Sequence, residues 1–168
     1  MDINPKISWY TNSEISLEHK HLSYKQVYCW ILSEDNKLVL VSKDNKHWQF
    51  PGGHPEKNET VLETCYREVN EETGLNLTSL DISPTFFGYY VVEEFDPTIN
   101  DIDTYLQLRL FAKLDKNSKE LNIYPNEKVN KERKVYYTKW FSFKELSESI
   151  SWIKDSNEFN TFKKIVDL

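Results

Sequence analysis

Cysteine is scarce in this chain. Cys29 and Cys65 are the only two, too few for a disulfide framework or a cysteine-based metal cluster. Cys29 lies in an apolar strand-like run and Cys65 on a helical stripe, so both read as small core residues of a reducing compartment, the cytoplasm. No apolar run approaches the roughly 20 residues that cross a bilayer. The opening MDINPKISWY lacks the basic-then-apolar layout of a secretory leader. Positive charge is the minority sign: 21 Lys and Arg face 27 Asp and Glu, for a net −6. That balance argues against broad attachment to nucleic acid backbones. One basic and aromatic run, Lys128, Lys131, Arg133, Lys134 and Lys139 with Tyr136 and Tyr137, departs from it; it reads better as an exposed loop and edge strand than as a nucleotide grip. Repeats and low-complexity tracts are missing as well. What is present is 168 residues, 39% apolar and 14% aromatic, which suits one domain over 1–168 around a single buried core.

Glycine is also rare, at four residues, and Gly52, Gly53 and Gly74 bracket one stretch. From Gly53 to Leu75 it reads GHPEKNETVLETCYREVNEETGL. Pro51-Gly52-Gly53 ends any preceding strand and allows backbone conformations closed to other residues. From about Asn58 the composition turns helical, with Asn58 or Thr60 as N-cap, and Gly74 sits where a helix end takes a left-handed residue. Leu62, Cys65 and Val69 recur as an apolar stripe. At about 100° per residue, Glu68 and Glu72 fall roughly 40° apart on one edge of that stripe, and Glu71 lies one turn from Glu68. Three carboxylates around one turn repel unless a cation sits between them. Hard oxygen donors of this kind suit magnesium, with manganese as a substitute. Arg67 offers a planar fork that can pair with Glu59 or with a neighbouring carboxylate.

Gly53, Glu59, Arg67, Glu68, Glu71, Glu72 and Gly74 stand at the spacing G-x5-E-x7-R-E-(apolar)-x-E-E-x-G-(apolar), with Val69 and Leu75 in the apolar slots. At about 6% usage for each identity, a chance match in this chain is roughly one in a million. The stretch resembles the signature of the Nudix hydrolases at every defined position. The resemblance implies an α/β/α sandwich and hydrolysis of a nucleoside diphosphate linked to another group. A nucleoside triphosphate or a dinucleoside polyphosphate is the favoured substrate. It implies a metal held by Glu68, Glu71, Glu72 and the backbone of Gly53, with Arg67 and Glu59 orienting the ligands. The general base is left open among Glu68, Glu71 and a later acid, for which Glu127 and Glu132 are the candidates and Glu93 and Glu94 the outsiders.

For the substrate, the resemblance points to a tyrosine about sixteen residues past the motif, where Tyr89 and Tyr90 stand; packing on the sheet is the other reading of both. Tyr28, Trp30, Trp48, Phe87 and Tyr105 are further candidates for stacking on a base. His54 follows Gly53 and is a candidate for a phosphate, whereas His19, His21 and His47 have no assigned role. The sequences that mark NADH-cleaving and ADP-ribose-cleaving relatives after Leu75 are absent, Pro84 coming too early for the latter. A non-catalytic nucleotide sensor is the alternative class, and such forms usually lose motif glutamates that this chain keeps. The expected partner is a small nucleotide, with neither nucleic acid nor membrane; the oligomeric state stays open, a homodimer among the options.

Elsewhere, Gln26 to Leu32 and Lys37 to Ser42 read as a hairpin across Ser33–Asn36. Trp48 to Phe50 reads as a short strand, and Leu80 to Val92 as one or two. Leu106, Leu108, Leu110, Ala112 and Leu114 alternate with polar or larger residues, the period of a half-buried strand. Glu132 to Phe141 is a further strand. Ser142 and Glu145 have capping-box spacing for a helix over Phe143–Ser149, and Asp155 to Val166 is a last helix with Phe159, Phe162, Ile165 and Val166 inward. Strands, one helix, more strands and then helices give an α/β sandwich around a mixed sheet. The first twenty residues and the last twenty add nothing to the functional reading.

Overall fold

The computed structural model describes residues 4–115, 122–124 and 137–167. Its elements are β1 (Lys6–Thr11), β2 (Tyr24–Leu32), β3 (Lys37–Ser42), β4 (Trp48–Gln49), β5 (Gly52–Gly53), α1 (Val61–Thr73), β6 (Thr85–Asp96), β7 (Asp101–Lys113), β8 (Tyr137–Ser142), α2 (Phe143–Ser149) and α3 (Asn157–Ile165). The strands form one mixed sheet in the order β1-β6-β7-β2-β3-β4, with β5 also on β2 and β8 on β3. β2 and β7 run parallel. The other pairs are antiparallel.

Alternation along the central strands sends side chains to two cores. Val27, Cys29 and Ile31 of β2 and Leu106, Leu108, Leu110 and Ala112 of β7 pack with Cys65 and Val69 of α1. Trp30 and Leu32 point the other way, to Phe87, Leu146, Phe159 and Phe162. One layer of helix therefore covers each face, as an α/β/α sandwich requires. This corrects the half-buried reading of β7, because its second face is covered too. Phe111 packs into the second core, and Arg109 is 9% exposed and ion-paired to Glu158 of α3 at 2.6 Å.

Local chemistry explains the helix ends. Thr60, not Asn58, caps α1: its hydroxyl accepts from the Glu63 amide while the Glu63 carboxylate accepts from the Thr60 amide. Asn58 instead takes a left-handed φ of 69° in the loop before it. Gly74 closes the helix at φ 73°. The stripe of α1 is narrower than expected, because Leu62 is 40% exposed. Helical side chains lean towards the N-terminus, so a first-turn residue leans past the end of its own helix. Ser142 and Glu145 form the second capping box, on α2. α3 starts after Ser156 and buries Phe159 and Phe162, while Ile165 is 42% exposed.

The strands differ from the sequence reading at their ends. β6 begins at Thr85 and runs to Asp96, where it turns through Pro97–Asn100 into β7. β7 begins at Asp101, five residues before the apolar alternation. The tip of that long hairpin leaves Phe95 and Ile102 exposed, and a strand with no buried face shows no period of two. β1 pairs with the edge of β6, Lys6 opposite Glu93 and Thr11 opposite Gly88. Of the strand expected from Glu132, residues 137–141 are described and belong to β8. No helix among the described residues is long and apolar enough to cross a membrane.

Candidate active site

The bend at Pro51–Gly53 is where the sheet meets the acidic turn of α1. A Cβ on Gly52 would lie 2.3 Å from the Val27 carbonyl oxygen and 2.7 Å from Tyr28 Cα. A Cβ on Gly53 would lie 2.4 Å from Glu68 Oε1. Two glycines thus let one stretch of backbone press on β2 from one side and on α1 from the other. The Gly52 amide donates to Glu72 Oε2 at 2.9 Å. Glu68 and Glu72 are 2% and 3% exposed, and charges buried to that degree need partners.

Arg67 is a partner of Glu68. Its Nε and Nη2 donate to the two oxygens of Glu59 at 2.7 and 2.9 Å, the two-pronged geometry of a guanidinium on a carboxylate. Nη1 donates to Glu68 Oε1 at 2.8 Å and lies 3.7 Å from Glu71 Oε1. Nη2 also donates to the His54 carbonyl at 2.9 Å. The sequence left Arg67 a choice between Glu59 and a neighbouring acid; the structure gives it both. Glu59 is itself anchored by the Glu56 amide and the Thr64 hydroxyl. The Arg67 hydrogen bonds hold the Glu59 carboxyl down to about 2. The same carboxylates push the Arg67 guanidinium further above its ordinary range.

Among the described residues, no three acidic, histidine or cysteine side chains stand close enough together to enclose an ion as they are placed. Glu68 is turned to Arg67 and Glu72 to the Gly52 amide. The donors nevertheless suit a hard cation: carboxylates, and a backbone carbonyl at Gly53, which lies so close to Glu68 that a Cβ there would meet its carboxylate.

The residues proposed to contact substrate separate in space. Tyr89 is fully buried on the α1 side, its hydroxyl bonded to His19 Nδ1 at 2.9 Å and Ser16 Oγ at 3.0 Å. It packs in the core, as do Trp30 and Phe87, at 0% and 2% exposure; these three offer a base no open face. Tyr90 points to the opposite face, its ring 5.1 Å from the Arg109 guanidinium. Burial and Glu158 raise its hydroxyl above the usual tyrosine range. Trp48 stacks edge-on against Phe141 and borders an open cleft with Tyr124, Tyr137 and Lys139. Tyr105 is buried under Lys25. His54 is exposed and touches the site through its carbonyl. His47 pairs with Asp44 at 2.6 Å, and Glu93 with Lys6 at 2.6 Å. Glu127 and Glu132 lie outside the described residues.

Sequence reasoning missed a second feature beside the bend. Tyr28 continues from the Gly52 contact into a cleft of about 220 Å³ lined by Gln26, Gln49, Gln107, Arg109, Trp152 and Glu158, with Phe50 behind. Of its lining the sequence had singled out Tyr28 alone, as a candidate for stacking on a base; the further hint was an arginine in mid-strand between Leu108 and Leu110.

A NUDIX domain model matches residues 23–160. The chain belongs to the Nudix family. It is similar to an ADP-ribose pyrophosphatase of Methanocaldococcus jannaschii, 43% identical over 71 residues, which cover 40% of each chain. An RNA pyrophosphohydrolase of Halorhodospira halophila is 41% identical over 46 residues, covering 27% of this chain and 25% of that one. The matched stretches span about half or less of the curated relatives' own length. Among solved structures, the Bacillus subtilis pyrophosphohydrolase BsRppH superposes with a TM-score of 0.66 at 20% identity, over 95% of this chain and 90% of that one. A C. elegans Ap4A hydrolase superposes at 0.58 and 14% identity, over 85% and 98%. These two show a shared Nudix fold.

Proposed function

We propose that this Nudix protein is a divalent-metal-dependent pyrophosphohydrolase that cleaves the diphosphate linkage of a nucleoside triphosphate or dinucleoside polyphosphate. The observation that carries the reading is the junction at Gly53, where backbone, Glu68 and Glu72 meet with Glu71 one turn away and Arg67 tying the group together. Gly53, Glu68, Glu71 and Glu72 would hold magnesium or manganese, which neutralises phosphate charge and lowers the pKa of water. Arg67 and Glu59 fix the direction of the Glu68 carboxylate. In the reaction a water oxygen bonds to phosphorus, the bond from phosphorus to the bridging oxygen breaks, and the water proton passes to a carboxylate. Phosphoryl transfer of this kind depends on positioning and charge more than on covalent chemistry. Glu68 and Glu71 are the described candidates for the proton acceptor. Two buried free thiols suit the cytoplasm.

The test is turnover of a nucleotide panel with magnesium by the wild type and by Glu68→Gln and Glu72→Gln. Each substitution is expected to lower kcat by at least two to three orders of magnitude, the range for lost catalytic groups, with the fold intact by circular dichroism. Near-normal rates in either variant would remove the assignment. Nucleotide binding with no turnover by the wild type would instead support the sensor class.

A further inference from the structure

We propose that the cleft between Tyr28 and Trp152 seats the nucleobase, and that Arg109 selects a base with two adjacent acceptors, the O6 and N7 of a 6-oxopurine. This rests on the hydrolase reading and adds the substrate's base to it. At about 220 Å³ the cleft is smaller than pockets that enclose a whole drug-sized ligand. It fits one flat group and leaves the phosphates outside. Tyr28 forms one wall and also touches the Gly52 bend, so a base in the cleft extends its phosphates towards Gly53 and the α1 carboxylates.

The floor is built for reading acceptors. Arg109 Nε is committed to Glu158 at 2.6 Å. The guanidinium lies between the Tyr28 and Tyr90 rings, 4.5 and 5.1 Å from their centroids, so its plane is set. Among the described residues the other two nitrogens have long bonds, Nη1 to the Leu108 carbonyl at 3.3 Å and Nη2 to Gln107 Oε1 at 3.4 Å, beyond the usual 2.9–3.0 Å. Two parallel donors with slack bonds match the O6 and N7 pair of guanine, the commonest specific partner of an arginine fork. Adenine offers N7 beside an amino group, which opposes one of the two donors. Cytosine presents an amino group and uracil a single carbonyl on the corresponding edge. A guanine oxidised at C8 carries hydrogen on N7, so the same fork turns it away. Gln26, Gln49 and Gln107 can serve the remaining edge with donors or acceptors. Trp152 is 49% exposed at the rim, its ring 6.3 Å from Phe50, and offers a stacking face.

The test compares kcat/KM for dGTP, dATP, dCTP, dTTP and 8-oxo-dGTP with magnesium, together with calorimetric binding of GMP and AMP. Wild type, Arg109→Lys and Trp152→Ala are measured. Arg109→Lys keeps the charge facing Glu158 and removes the fork. The expected wild-type preference for dGTP over dATP and over 8-oxo-dGTP is about tenfold or more, carried mainly by KM. Arg109→Lys is expected to lose most of it, read as the ratio of kcat/KM for dGTP to that for dATP falling towards one. Trp152→Ala, at the half-exposed rim, is expected to weaken GMP binding about tenfold with the fold retained by circular dichroism. Equal wild-type rates across the bases, or a preference retained by folded Arg109→Lys, would overturn the proposal. Should Arg109→Lys not fold, unchanged GMP affinity in Trp152→Ala would overturn it. GMP-selective binding without hydrolysis would defeat the hydrolase reading and leave this cleft standing; hydrolysis indifferent to the base would do the reverse.

Discussion

Glu59 shows how one side chain supports the site without facing substrate. Both of its oxygens are held by Arg67, and Arg67 in turn holds Glu68. Those bonds lower its carboxyl from an ordinary 4.5 to about 2. The sign follows from linkage: a carboxyl depressed by folding adds stability that is complete above about 4.5 and is lost as pH falls towards about 2. The melting temperature of the wild type is therefore expected to drop through that window more steeply than that of Glu59→Gln, with the two profiles parallel above it. Glu63 and Glu145 are also held below their ordinary value, by their capping partners, so the measured quantity is the difference between the two profiles. Identical acid limbs would mean that the Glu59–Arg67 contact contributes nothing to folding. The contact itself was legible as a choice: Glu59 stands in the loop just before the N-cap Thr60, within reach of a fork on the second turn of α1, and which acid that fork takes depends on the loop that carries His54.

Element ends were readable where their chemistry is local. The spacing Ser142–Glu145 and the terminal Gly74 describe backbone bonds three or four residues apart, and the structure has both. The face of β7 that carries Arg109 was not readable, because its cover comes from Glu158, 49 residues later. β1 was invisible for a related reason. Its partner β6 lies some eighty residues away, and an edge strand buried on neither face shows no period. The acidic turn was legible and the cleft beside it was not: the first is one helix, the second is a meeting of β2, β7 and the C-terminal segment. α3 is what closes that meeting. Phe162 is fully buried, with its ring 4.8 Å from Trp30, 5.9 Å from Phe87 and 6.1 Å from Phe111. Phe162→Ala is expected to cost about 3–5 kcal/mol, read as a lower urea midpoint with an unchanged slope. It is also expected to weaken GMP binding, because the helix that carries Glu158 loses its anchor. A loss below about 1 kcal/mol would show that α3 is not held by this core.

Across the whole molecule, a net charge of −6 coincides with a local crowd in which Glu59, Glu68 and Glu71 all lie within ion-pair reach of Arg67. Folding brings these carboxylates together, and an ion that binds only the folded arrangement stabilises it by mass action, by about 2.7 kcal/mol at a hundred times its Kd. For a chain of this length that is a rise in Tm of roughly 5–10 °C. Magnesium is therefore expected to raise Tm in the absence of any nucleotide, and a chelator to reverse the rise. General screening would also stabilise an acidic protein, but it depends on ionic strength and acts through a Debye length of about 10 Å at 0.1 M. Sodium chloride at matched ionic strength separates the two effects. Glu68→Gln and Glu72→Gln each remove one charge from the acidic turn, so they are expected to abolish the magnesium-specific part and to leave the salt-dependent part in place. If sodium reproduced the whole rise, or both variants kept it, magnesium would be acting on the surface charge and the turn on α1 would not be its site.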